Sequence, residues 1–208
     1  MKNKKIINLL IGLPNNYREI PIGKTIITDG SQKRIDAFIE NNCCNNIIFR
    51  NLVFDNVSDF RDILQVDKEN NKKQTLNISV DWNIYNDKRL DGFFDNKLIA
   101  NNYPNSRIIS KVNLETLTIY QFINSEKEFI DEDTLINIYI RQGIPKNILE
   151  GAKSNFSQIN KIIIDLPLGL SRYIIDAKEY LINNGFKKQY SEENTWEMNE
   201  TNNLRREL

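Results

Sequence analysis

The sequence contains no histidine. Histidine is the side chain whose ordinary pKa lies closest to neutral pH, and it is the most common protein ligand of transition metals. Its absence excludes Ser-His-Asp and Cys-His catalytic arrangements and every metal site built on imidazole. Any chemistry must therefore rely on carboxylates, lysine, tyrosine, cysteine or a bound cofactor, and we predict no metal site.

Cysteine is scarce, since the only two are the neighbours Cys43 and Cys44. Adjacent cysteines cannot form the disulfide framework that stabilises many small secreted proteins. A strained disulfide between the two neighbours stays open as an alternative, but two reduced thiols in or near the core are the simpler interpretation. We therefore predict a reducing compartment and a cytoplasmic location.

The chain also lacks a charge excess, because 28 Lys and Arg residues balance 28 Asp and Glu residues. A neutral protein without a long basic run has no general attraction to nucleic acid or anionic membranes, so we predict neither as a partner. No apolar run approaches the roughly 20 residues of a transmembrane helix. The basic start and the apolar run Ile6–Gly12 resemble a signal peptide, but the run is short and contains Asn8, so it predicts a buried strand.

The rest of the pattern fits a single domain, residues 1–208, with a polar tail from about residue 200. Turn residues separate short stretches that are rich in β-branched and apolar side chains, which is typical of strands. Predicted strands are Lys5–Ile11, Lys24–Thr28, Arg34–Ile39 (with a helix not excluded), Asn46–Phe54, Thr75–Trp82, Arg107–Val112, Leu135–Ile140, Lys161–Leu166, Phe186–Tyr190 and Thr195–Met198.

Helical signals alternate with the strands of the second half. A proline opens one helix and Gly185 ends another, as is common at helix termini. This alternation predicts an α/β fold, a largely parallel sheet flanked by helices, with Leu135–Ile140 and Lys161–Ile164 as neighbouring or near-neighbouring strands. Predicted helices are Ser58–Gln65, Leu114–Ile123, Lys146–Phe156 and Arg172–Asn184.

Three groups of residues between Val112 and Tyr190 carry a family resemblance. They are the strand that enters Thr116-Leu117-Thr118, the pair Gln142-Gly143 followed eight positions later by Gly151-Ala152, and the strand and helix end at Lys161–Asp165 and Tyr180–Phe186. In order and spacing these groups resemble the FkbM family of S-adenosylmethionine-dependent methyltransferases. The resemblance implies a class I methyltransferase-like, Rossmann-like fold. It also implies transfer of a methyl group to a hydroxyl of a sugar or another small metabolite.

The resemblance also implies which residues hold the cofactor, S-adenosylmethionine. Gly12 lies where the family has a glycine-rich cofactor loop, and Glu40 lies near the position of the acid that holds the cofactor ribose. Gln142 and Gly143 match the turn that follows a later strand beside the cofactor. A glycine loop lets the backbone approach a cofactor closely, and a carboxylate accepts hydrogen bonds from both ribose hydroxyls.

The sequence departs from the family pattern at several of these places. After Gly12, the residues Leu13-Pro14-Asn15-Asn16 depart from the family's glycine-rich loop, and the stretch Asn137–Arg141 lacks the family's acid. Two functions therefore stay open. One is an enzyme with a small-molecule or glycan substrate, and the other is a non-catalytic relative that uses the fold as a binding or scaffolding module. A homo-oligomer is compatible with either.

Two further groups of polar residues have competing interpretations. Tyr139 and Arg141 are candidates for a substrate cleft, and the alternative is that either side chain faces solvent. The acids Asp55, Asp59 and Asp62 suggest a cation site, but acids after a strand and along a helix are usually solvated. We therefore assign no metal to them.

Overall fold

A computed structural model of the chain describes residues 4–14, 16–30, 32–42, 44–68, 78–79, 106–166, 171–189 and 194–198. The α-helices are α1 (Gln32–Glu40), α2 (Ile119–Ser125), α3 (Pro145–Glu150) and α4 (Ser171–Asn183), and two 3-10 helices cover Tyr17–Glu19 and Lys153–Gln158. The strands are β1 (Ile6–Ile11), β2 (Lys24–Asp29), β3 (Ile47–Asn51), β4 (Val53–Phe54), β5 (Asp59–Lys68), β6 (Ile78–Ser79), β7 (Ser106–Leu117), β8 (Leu135–Ile140), β9 (Ile159–Ile164), β10 (Phe186–Lys188) and β11 (Thr195–Met198).

Seven strands form the main sheet, in the order β10-β11-β9-β8-β1-β2-β3. The five strands from β9 to β3 run parallel to one another, while β11 is antiparallel to both of its neighbours. The predicted α/β fold with a largely parallel sheet and flanking helices is therefore confirmed, and it is Rossmann-like. The predicted adjacency of β8 and β9 is also confirmed, and α3 begins in the segment that joins them.

Helices cover both faces of this sheet, which explains why its central strands β1 and β8 are mostly apolar, with Asn8 and Asn137 as the exceptions. On one face, helices α2, α3 and α4 pack on buried strand residues such as Leu9, Ile138 and Ile162. On the other face, Ile35 and Phe38 of α1 pack on a second, smaller cluster. Their spacing of three residues is helical, so the segment predicted as strand Arg34–Ile39 is a helix, the alternative left open above.

The chain between β3 and β8 forms a second sheet, in the order β4-β7-β5-β6. Strand β5 pairs with the long strand β7 from Asp59 to Lys68, with one irregularity between Gln65 and Val66. The helix predicted over Ser58–Gln65 is therefore wrong. A local capping signal at Ser58 is overridden because β7 satisfies the backbone groups of the whole segment.

Two helix boundaries also differ from prediction. Strand β7 extends through Leu117, and α2 begins only after Thr118, whose side chain accepts a hydrogen bond from the Gln121 N–H in a reciprocal capping box. The helix opened by Pro145 ends at Glu150, and the rest of the predicted helix is a separate 3-10 helix that begins at Lys153. The predicted strand Thr75–Trp82 lies outside the described residues except for 78–79, as do the polar tail and residues 83–105.

Candidate functional site

Gly12 and the Gln142-Gly143 turn meet at the carboxyl edge of the parallel strands. Strands β1 and β8 are neighbours with Ile11 opposite Ile140, so the residues that follow each strand are also adjacent. The Arg141 N–H donates a hydrogen bond of 2.9 Å to the Ile11 carbonyl. In an open α/β sheet this edge is where ligands bind. The structure therefore brings three of the four predicted cofactor residues together.

The space beside Gly12 is filled by Gln142. A Cβ atom added to Gly12 would lie 2.8 Å from Cβ of Gln142 and 3.1 Å from its Oε1, and the φ angle of Gly12 is +98°. Glycine is required there on both counts. Gln142 is only 3% exposed, and its Oε1 has no hydrogen-bond donor among the described residues.

The loop after β1 folds down on the same edge. Leu13 and Pro14 are both buried. In nucleotide-binding α/β folds, an α-helix usually begins after the first strand and turns its N-terminus to the ligand. Among the described residues between β1 and β2, the one helical segment is the 3-10 turn Tyr17–Glu19. The carboxyl edge thus has the glycine but, in that described part, not the helix N-terminus.

Asp29, the last residue of β2, is the acid that the structure adds to this edge. Asp29 is 0% exposed, and its Oδ2 accepts a hydrogen bond of 3.3 Å from the Leu13 N–H. Nη1 of Arg34 lies 3.7 Å from the same oxygen. In the sequence, Asp29 followed by Gly30 and Ser31 is a turn signal, which predicts no functional role for this acid. An acid that directly ends a buried strand was the signal that could have identified it.

Glu40 lies elsewhere. It is the exposed last residue of α1. This helix leaves β2 at the carboxyl edge and returns to the beginning of the parallel strand β3, so it carries Glu40 toward the amino edge. The predicted placement of Glu40 beside the strand ends is therefore wrong. A strand Arg34–Ile39 parallel to its neighbours would have ended with Glu40 at the carboxyl edge, whereas helix α1 runs from that edge back to the start of β3.

Arg141 joins two loops at the carboxyl edge. Its Nη2 lies 2.7 Å from Oε2 of Glu19 and 3.1 Å from Oδ2 of Asp165, and its side chain is 13% exposed. The Asp165 N–H also donates to the Ile140 carbonyl at 2.9 Å. A guanidinium held by two carboxylates fixes the loop after β1 against the end of β9. Tyr139, the other residue proposed for a substrate cleft, packs at the margin of the smaller core cluster.

The acidic residues considered for a metal site do not assemble one within the described part of the chain. Asp55 is 3% exposed, and its Oδ1 accepts hydrogen bonds from Nδ2 of Asn147 and from the Asn56 N–H. These bonds tie the end of β4 to α3. The side chains of Asp59 and Asp62 lie outside the described residues. Among those that are described, no three acids or cysteines are grouped to hold a metal ion.

The sequence also made predictions about the cysteines and about membrane-spanning helices. Cys44 has a half-buried side chain that packs at the smaller core cluster, and Cys43 lies outside the described residues. None of the helices in the described ranges has the length and apolar content needed to cross a membrane.

Comparison with known proteins gives no match: no protein-family model, curated protein or solved structure resembles the sequence significantly. The likeness to FkbM methyltransferases accordingly rests on the residues quoted above.

Proposed function

We propose that this protein has a methyltransferase fold and works as a binding module that does not transfer methyl groups. The order of strands in the main sheet supports the relationship. Counted along the chain within that sheet, the order is third, second, first, fourth, fifth, seventh and sixth, and the seventh strand is the antiparallel one. Class I methyltransferases resemble this arrangement, including the reversed strand next to the edge.

The filled carboxyl edge is the observation that carries the non-catalytic part of the proposal. Gln142 contacts Gly12, and Leu13 and Pro14 are buried over the same strands. The carboxylate of Asp29 is already bound to the Leu13 N–H and lies beside Arg34. Asp29 is 0% exposed, so a ribose could reach this carboxylate only if the residues that cover it moved. The described residues therefore do not fit S-adenosylmethionine as they stand.

The end of β8 supports the same conclusion from its chemistry. Acceptor hydroxyls need a group that positions them and takes their proton. The stretch from Asn137 to Gly143 contains no carboxylate. Its one charged residue, Arg141, is bound to Glu19 and Asp165. This strand end thus offers no base to an acceptor.

Isothermal titration calorimetry with S-adenosylmethionine and S-adenosylhomocysteine tests the proposal. We expect no saturable heat for either compound up to about 1 mM, which corresponds to binding weaker than roughly 4 kcal/mol. Asp29→Asn and the matched control Asp176→Asn, which changes an exposed acid on α4, should leave this result unchanged. Micromolar binding by the wild type that Asp29→Asn weakens and Asp176→Asn does not would refute the proposal.

The second candidate function is an active methyltransferase, and the position of Asp29 specifically favours it. In dinucleotide-binding α/β folds, an acid about 20 residues after the first glycine turn accepts the ribose hydroxyl. Asp29 ends the strand next to Gly12 and meets that description. For this candidate, binding must uncover the buried Asp29 carboxylate. The calorimetric experiment separates the two candidates, because only the active enzyme predicts a response to Asp29→Asn.

A further inference from the structure

A second concave site lies at the opposite, amino end of the parallel strands. A cavity of about 830 Å³ opens beside the first residues of β2 and β3, between the segment Ile20–Lys24, the Asn45-Asn46 turn and Phe129. Small-molecule pockets have volumes of about 300 to 1,000 Å³. The cavity is therefore large enough for a ligand with two fused or linked rings. It is separate from the carboxyl edge, because it lies where the parallel strands begin.

The walls of this amino-edge cavity have more apolar than polar surface, and the cavity is partly open to solvent. Ile20, Ile48 and Phe129 line it and are half-buried, while Ile22 is fully exposed and Tyr17 is 43% exposed. Single exposed apolar side chains are ordinary on protein surfaces. Here these three isoleucines share one concavity with the rings of Tyr17 and Phe129, and apolar and aromatic side chains are the usual lining of a site for a small organic ligand.

Lys24 gives the cavity its charge. It is the one charged residue among those that line the cavity, and its Nζ lies 3.9 Å from the centroid of the Phe129 ring. Within the described part of the chain, no carboxylate forms an ion pair with it. The nearby Lys5 differs, since its Nζ donates to the Phe129 carbonyl and pairs with Asp131. The Lys24 ammonium therefore retains donors for an anionic group of a ligand.

A row of asparagines holds the wall of the cavity in place. Nδ2 of buried Asn8 donates to the Ile22 carbonyl at 3.3 Å, and Oδ1 of Asn8 accepts from Nδ2 of Asn137 at 3.1 Å. Nδ2 of Asn160 in turn donates to Oδ1 of Asn137 at 2.8 Å. Polar side chains inside a parallel sheet are costly unless they are bonded to one another. This row across three strands fixes the exposed Ile22 segment, so the cavity wall is preorganised.

We propose that the amino-edge cavity binds a planar aromatic monoanion. The ring system contacts Ile22, Ile48 and Tyr17, and the anionic group binds the Lys24 ammonium. The proposal goes beyond the function proposed above and does not depend on it, because the two sites lie at opposite ends of the strands.

Fluorescence titration of the whole chain with 8-anilinonaphthalene-1-sulfonate tests this site. N-phenyl-1-naphthylamine, a closely related probe without the sulfonate, serves as the neutral counterpart. We expect one sulfonate-binding site per chain. Lys24→Gln should lower the affinity for the sulfonate probe by about tenfold, because one charge-assisted hydrogen bond is lost. The affinity for the neutral probe should fall by less than about twofold. The matched variant Lys187→Gln, an exposed lysine on β10, should change neither.

Two further measurements keep the proposal refutable. Ile22→Asp places a carboxylate at the fully exposed rim of the cavity, where it repels the sulfonate group. It should therefore lower the affinity for the sulfonate probe more than the affinity for the neutral probe, and the fold should be unaffected. S-adenosylhomocysteine at about 1 mM, the highest concentration in the calorimetric titration, should not displace the sulfonate probe. The proposal is overturned if Lys24→Gln and Lys187→Gln have equal effects, if both probes respond equally to Lys24→Gln, or if S-adenosylhomocysteine displaces the sulfonate probe.

Discussion

The contact between Gly12 and Gln142 predicts a measurable energetic coupling between the two positions. Gly12→Ala places an L residue at a φ of +98°, which costs roughly 1–2 kcal/mol. The new Cβ also lies 2.8 Å from Cβ of Gln142, and overpacking of this kind costs about 1–3 kcal/mol more. We therefore expect the free energy of unfolding to fall by about 2–5 kcal/mol, as the sum of these two terms.

A double-mutant cycle separates the two costs. Gln142→Gly removes the Cβ atom that the new methyl group would contact, so in this background Gly12→Ala should cost only about 1–2 kcal/mol. The two substitutions should therefore couple by about 1–3 kcal/mol. Gly143→Ala is the matched control. Gly143 also has a positive φ, of +83°, but its added Cβ would meet only the tip of the flexible Ile148 side chain, at 3.0 Å.

Urea unfolding followed by circular dichroism provides the assay, with equal slopes required for all variants. Additive effects of Gly12→Ala and Gln142→Gly, within about 0.5 kcal/mol, would show that the two residues are apart in solution. That result would refute the filled carboxyl edge and, with it, the basis for the non-catalytic proposal. A cost of Gly12→Ala no larger than that of Gly143→Ala would have the same meaning.

Two other substitutions test local features of the structure. Gly151→Ala should lower the free energy of unfolding by about 1–3 kcal/mol in the same assay, because its Cβ would lie 2.5 Å from the Asp55 carbonyl oxygen; an unchanged midpoint would contradict this contact. Thr134→Val should raise the pKa of Asp131 toward its ordinary value, since the Thr134 hydroxyl is the main cause of the lowered pKa. The wild-type carboxylate stabilises the fold above its ordinary pKa of 3.8, and this stabilisation is lost as the pH falls through the lowered pKa. An NMR titration in which the wild type and Thr134→Val give the same Asp131 pKa would show that the Thr134 hydroxyl does not lower it.

The parts of the fold that sequence predicted are those in which local pattern and tertiary contacts agree. The strands Leu135–Ile140 and Thr195–Met198 have the predicted bounds. Strand β5 was missed because its backbone is satisfied by β7, a partner far along the chain that no local pattern identifies. The position of β11 between β9 and β10 is likewise a pairing between distant segments, which periodicity does not encode.

The candidate site shows the same division. Gly12 and Gly143 were correctly placed together, because each directly follows a buried strand and parallel strands end at one edge. Glu40 was misplaced because one segment, Arg34–Ile39, was read with a strand period instead of a helical one. A helix that joins two parallel strands runs in the direction opposite to them, so this single error moved the expected acid to the other end of the sheet and left Asp29 unrecognised.

The reversed strand β11 sets an order for assembly of the main sheet during synthesis. Strand β10 precedes β11 in the chain, yet β11 is its pairing partner in the sheet and lies between it and β9. Until the residues up to Met198 have left the ribosome, β9 therefore presents an unpaired edge, which is a template for aggregation. Trp196 of β11 is only 2% exposed and packs against the main core, so its burial marks the insertion of β11 into the sheet. A nascent chain released before Trp196 would keep this edge open and should depend on chaperones to remain in solution.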